Sequence, residues 1–89
     1  MQVSIVKPSL RIMSDVTDFD PEITMLISAC LTDLEMSGLV VDESDPLVVQ
    51  AVITYCKAHF GIENSDSEKY QKSYDSMKAN LLVLGEIFV

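Results

Sequence analysis

Tryptophan is absent, histidine occurs once, and the 89 residues hold only three glycines, three prolines and two cysteines. So few glycines exclude a phosphate-cradling loop, which needs several in close order. Gly38, Gly61 and Gly85 instead each fall where a helical pattern stops. No serine or cysteine has a base partner at a recognisable spacing, so nucleophilic catalysis finds no support. His59, beside Phe60 at the end of an apolar pattern, reads as a structural histidine near a helix C-terminus. Cys30 and Cys56 both lie in apolar helical patterns and read as buried free thiols, not as a disulfide or a metal pair. No apolar run reaches 18 residues, which excludes a spanning helix, and Met1–Pro8 lacks the uninterrupted apolar stretch of a signal peptide.

The most telling absence is positive charge. From Asp15 to Cys56 there are nine acidic residues and no lysine or arginine. The net charge of −8 divides into +2 over Met1–Ser14 (Lys7, Arg11), −9 over Asp15–Cys56 and −1 over the remainder. Such a body repels phosphate backbones within the screening distance of the salt, so specific nucleic-acid binding is not expected. Lys57, Lys69, Lys72 and Lys78 are diluted by Glu63, Asp66, Glu68 and Asp75 and form no nucleic-acid patch. Asp15, Asp18, Asp42 and Glu43 are expected to form an acidic surface. Asp15, Asp18, Asp20 and Glu22 have the spacing of a calcium loop, but Asp20 and Leu26 stand where its glycine and its bidentate glutamate belong. Capping and solvation account for these carboxylates, and neither a metal nor a cofactor is expected.

What the chain does have is apolar surface: 48% of its residues are hydrophobic and its mean hydropathy is +0.26. The pattern predicts one all-α domain over residues 1–89, a compact bundle of three main helices with a short helical turn near Leu10. The first helix, Pro21–Ser37, has Asp20 as cap, Pro21 at its first position and a buried stripe of Ile23, Leu26, Ile27, Cys30, Leu31 and Leu34. The second, Pro46–Phe60, repeats the signal with Asp45 and Pro46, and is apolar nearly all round, as a central helix is. Ser65 and Glu68 form a capping box for the third, Asp66–Leu82, whose stripe is Tyr70, Tyr74, Met77, Leu81 and Leu84. Val52 and Cys56 should meet Ile27, Leu31 and Tyr74 in the core. Residues 1–8 are read as an extended arm.

Three apolar features remain once that core is filled: the loop Leu39, Val40 and Val41, the all-round character of Leu47–Tyr55, and the tail from 83 to 89 ending Ile87-Phe88-Val89. The tail is either the last core layer or a segment that docks on a neighbour. Met25, Ala29 and Met36, off the first helix's stripe, read as incidental surface or secondary packing, and they are the first places to look for a neighbouring subunit. Leftover apolar surface of this kind suits a protein that binds proteins.

The order of these residues resembles a known family. Lys7, Leu10-Arg11-Ile12, an aspartate-rich turn, Leu26-Ile27 and Ala29 are similar to the opening of the small head-tail connector (head completion) proteins of long-tailed phages. Pro46, Ala51, Ile53, Tyr55 and Phe60, then Tyr74 and Leu81, resemble their second half, so the likeness runs from about Lys7 to Leu82. The sequence departs from the pattern after Phe60, where Gly61-Ile62-Glu63-Asn64 stands in place of an aromatic pair and an arginine. The resemblance implies a non-enzymatic virion protein, assembled in the host cytoplasm, that forms a homo-oligomeric ring of about a dozen copies by cyclic contacts. That ring would sit beneath the portal, extend the DNA channel without binding DNA specifically, and receive a further connector or tail-completion protein. A small acidic adaptor that binds one protein through Leu39–Val41 or Ile87–Val89 is the alternative class. An inhibitor that mimics DNA with its acidic face is a second.

Overall fold

A computed structural model of the chain describes residues 1–61 and 64–87, with the side chains of residues 85–87 excepted. Its elements in order are α1 (Val3–Val6), a 3-10 turn (Lys7–Leu10), α2 (Asp20–Met36), α3 (Pro46–His59) and α4 (Ser67–Ile87). Among the described residues there is no strand, and the all-α reading holds.

The punctuation of α2 and α3 follows from local chemistry. Asp45 caps α3, its Oδ1 accepting from the Leu47 N–H at 2.9 Å, and Pro46 occupies the first position, where no N–H is needed. Gly38, at φ +103°, ends α2: the Leu39 N–H bonds to the Leu34 carbonyl and the Gly38 N–H to that of Glu35. This is the paired closure that a left-handed glycine permits. Gly61 takes φ +83° just beyond α3. Ile62, expected to close over that turn, lies outside the described residues, as do Glu63, Phe88 and Val89.

α3 is the central element, packed against both α2 and α4. Its small residues Ala51 and Ala58 and its Thr54 are buried, which lets a neighbouring backbone approach closely. Ser67 at the start of α4 donates to the Ala58 carbonyl at 2.7 Å, a direct sign of that approach. Thr54 satisfies its own hydroxyl on the Gln50 carbonyl at 2.9 Å. Val52, Cys56, Ile27 and Tyr74 are buried in one cluster with Leu31 packed at its edge, as the overlapping stripes require.

Four local expectations are corrected. The stretch read as an extended arm is helical over Val3–Val6 and continues into the 3-10 turn, because Val6 is fully buried and Val3 and Leu10 pack beside it. A helix of one turn is unstable alone, so it is this docking that holds it. Asp20 is the first residue of α2 and not its cap; Phe19 precedes the helix without a side-chain bond, and the Asp20 carboxylate turns to Lys7. Asn64 organises the start of α4 where Ser65 and Glu68 were expected to, its Oδ1 accepting from the Asp66 N–H at 3.1 Å and its Nδ2 donating to the Lys57 carbonyl at 2.6 Å. Finally, α4 runs through Gly85 to Ile87, so Gly85 does not stop it and residues 83–87 belong to the helix.

Candidate functional site

Two polar constructions hold the molecule's surfaces in place. Lys7 is buried, and its ammonium lies 3.1 Å from Asp20 Oδ1 while donating to the carbonyls of Val16 and, at 3.3 Å, Ser14. Among the described residues that ammonium is the partner of the otherwise unsatisfied, buried Asp20 Oδ1. A buried ammonium must be fully coordinated, and these oxygens clamp the loop that carries Asp15 and Asp18 against the start of α2. Sequence reasoning counted Lys7 as part of a basic arm. Its i+13 partner across a loop has no periodic signature.

The second construction joins α2 to α4. The Tyr74 hydroxyl donates to Asp33 Oδ2 at 2.6 Å, and Lys78 donates to the same oxygen at 3.1 Å. The Tyr74 hydrogen bond, with help from Lys78, holds the Asp33 carboxyl below its usual range. Burial, then the bond to Asp33, keeps the Tyr74 hydroxyl protonated well above the ordinary phenol range. Tyr55 stacks edge-on to Tyr74 at 5.1 Å, and His59 beyond it shares a hydrogen bond of 2.8 Å with Gln71. His59 thus has a structural partner near the end of α3, in keeping with its sequence reading.

Nothing in this arrangement points to bond-making chemistry. Burial pushes the Cys30 thiol up to about 11 and the Cys56 thiol up to about 12, so neither is a thiolate at neutral pH. Both are free and buried. Among the described residues no three histidine, cysteine or acidic side chains converge on a point that could hold a metal ion. No helix among them is long and apolar enough to cross a membrane.

The exposed apolar residues are more informative. Val40 is 94% exposed and Leu47 53%, while Leu39 and Val41 pack partly against the core. Leu39, Val40, Leu47, Val48, Leu81 and Leu84 line one concavity, with Asp42 and Asp45 at its rim. Apolar features that the sequence scatters over the loop, the central helix and the last helix are therefore neighbours in space. Leu84, expected on the buried stripe of α4, is 39% exposed at this edge. Ile87 belongs to α4 but its side chain, like Phe88 and Val89, lies outside the described residues.

At the far end of α2 a second apolar corner forms. Phe19 and Phe60 stack edge to face at 5.5 Å, bringing the start of α2 beside the end of α3, and Met13 is 71% exposed nearby in sequence. Sequence reasoning missed this corner, because Met13 and Phe19 sit in a loop where periodicity carries no information. Along α2, Met25 and Met36 are exposed as their off-stripe positions require.

Asp15, Asp18, Asp42 and Glu43 are all exposed. The Ser44 hydroxyl and N–H donate to Asp42 Oδ1 at 2.6 and 3.0 Å and hold its carboxyl below the usual range, while Glu43 pairs with the amino group of Met1. Each acidic residue thus lies where a solvated surface needs it, in two loops at opposite ends of α2.

Among the described residues the helices enclose one core and leave several apolar side chains exposed, Val40 and Met36 above all. The family model described as phage connector protein matches residues 3–86, and the chain belongs to that family. Comparison with curated proteins and with solved structures gives no match. The family is one of phage structural connectors, which places the chain among virion components and agrees with a role in contacts between head and tail proteins.

Proposed function

We propose that this chain forms a closed ring of about a dozen copies beneath the portal of a long-tailed phage, each copy meeting its neighbour through two different patches. The ring extends the channel through which DNA leaves the head and offers its far side to a further connector or tail-completion protein. The observation that carries the reading is the family match over residues 3–86 of a chain that leaves Met13, Met25, Met36, Val40 and Leu47 exposed. Such surfaces are costly to leave in water and suit a subunit with two lateral neighbours. The acidity fits a channel lining that DNA slides past, because attraction to phosphates would retard it. No catalytic step is assigned to any residue.

The test is made in the infected cell. Phage lacking this chain should accumulate separate heads and tails, and complementation with the intact chain should restore joined particles, with antibody labelling of the chain confined to the neck. Normal joined particles in its absence would refute the reading. A stable one-to-one complex with a single non-virion protein, with no place in the particle, would favour an adaptor.

A further inference from the structure

We infer that neighbouring copies join head to tail, with the Arg11–Met13 corner of one copy seated in the Leu39–Leu84 concavity of the next. The inference rests on the self-assembly reading above and specifies its interface. Arg11 adopts φ 60° and ψ 37°, a left-handed conformation uncommon for a non-glycine residue. Leu10 and Ile12 on either side turn inward onto the core, and the kink between them directs Arg11 outward with Met13 beside it. That conformation closes the 3-10 turn, the Arg11 N–H donating to the Lys7 and Pro8 carbonyls, and it leaves one cation and one flexible apolar side chain exposed two residues apart.

The remaining cations are mostly engaged. Lys7 is paired with Asp20, Lys72 with Glu68 and Lys78 with Asp33, and Lys57 lies over the Tyr70 ring at 5.6 Å. Among the described residues only Arg11 and Lys69 have neither a carboxylate within ion-pair distance nor an aromatic face. The concavity presents the complement: apolar Leu39, Val40, Leu47 and Leu84, rimmed by Asp42 and Asp45, with no cation in its lining. Both ends are acidic: Arg11, Asp15 and Asp18 of the clamped loop carry a net −1, and Asp42, Glu43 and Asp45, with the Met1 amino group on Glu43, a net −2. Two copies of net charge −8 repel less where the unpaired Arg11 of one faces Asp42 and Asp45 of the other than where two Asp42–Asp45 ends meet. The corner adjoins the first residue of α2 and the concavity its last, about 25 Å apart along a helix of this length, so a single contact leaves one free patch on each copy. That is the arrangement of a heterologous interface, which propagates.

The test uses two full-length variants, Arg11→Asp and Val40→Asp, at exposed positions; aspartate tolerates the left-handed conformation at residue 11. Circular dichroism and thermal midpoints like the parent's verify that both are folded. Each variant alone should remain monomeric where the parent assembles, raising the half-assembly concentration by about tenfold or more. Mixed in equal amounts, they should stop at a heterodimer, since the pair retains one intact corner and one intact concavity. Parent-like assembly of either variant alone, or a mixture with no heterodimer, overturns this interface while parent assembly leaves the ring reading standing. A parent chain that assembles neither alone nor on a portal overturns both.

Discussion

The Tyr74 hydroxyl reaches across 41 residues of sequence to donate to Asp33 Oδ2 at 2.6 Å. α2 and α4 each pack chiefly on α3, and among the described residues this bond and the Lys78 pair on the same oxygen tie the outer helices directly to each other. Tyr74→Phe keeps the buried ring and removes only the bond. It should cost about 1.5–3 kcal/mol, the range for a hydrogen bond to a charged group, read as a lower urea midpoint with an unchanged slope. A parent-like midpoint would show that Lys78 alone satisfies Asp33.

The same groups set the pH limits. Asp33 has a depressed folded pKa, so the stability it contributes is present above the unfolded carboxylate value and is lost as pH falls through the folded one. Cys30 and Cys56 have raised folded values of about 11 and about 12. Their contribution is full below the unfolded value of 9.0 and declines as pH rises from there toward about 11 to 12, because only the unfolded chain releases the protons in that window. Urea midpoints measured from pH 2 to 11 should therefore form a plateau that falls at both ends. Replacing both cysteines by alanine should flatten the alkaline fall.

Lys7→Met tests the clamp on the acidic loop. Removing the ammonium leaves Asp20 Oδ1 and two backbone carbonyls without their partner, a change expected to cost about 1–3 kcal/mol, because the Asp20 side chain remains partly in contact with water. Faster amide hydrogen exchange should appear over residues 13–19 first. Unchanged exchange there would show that the loop is held by something other than Lys7.

Val52→Ala and Val40→Ala separate core from surface. Val52 is fully buried, so its truncation should lower stability by about 1–3 kcal/mol through lost packing. Val40 is 94% exposed, and its truncation should leave the unfolding midpoint in place while weakening self-association.

Much of this architecture was legible from punctuation and period. Asp45-Pro46 and Gly38 mark helix ends because a carboxylate, a missing N–H and a left-handed glycine solve local hydrogen-bonding problems that depend on neighbours alone. The stripe through Ile23, Ile27, Cys30 and Leu34 identifies a buried face for the same local reason. The partners Lys7–Asp20 and Tyr74–Asp33 were not legible, since each pair forms only after distant segments meet. Asp20 misled because a carboxylate before a proline signals a cap until a buried lysine claims it. The loop residues Leu39–Val41 were recognised as surplus apolar surface, but their junction with Leu47 and Leu84 depends on where α4 passes α3. Arg11 was counted as part of a basic segment, but its exposure beside that of Met13 was not legible, because it follows from a backbone kink that no periodicity encodes.

Self-assembly is tested most directly by the mass of the isolated chain, measured by light scattering across salt and protein concentration and followed by electron microscopy of the largest species. Copies of net charge −8 repel one another until salt screens them, so monomers or small oligomers are expected at low salt and low concentration. Closed rings of about a dozen copies should dominate at high concentration and higher salt, or on an assembled portal. A chain that remains strictly monomeric under those conditions and fails to join a portal-containing head would contradict the account.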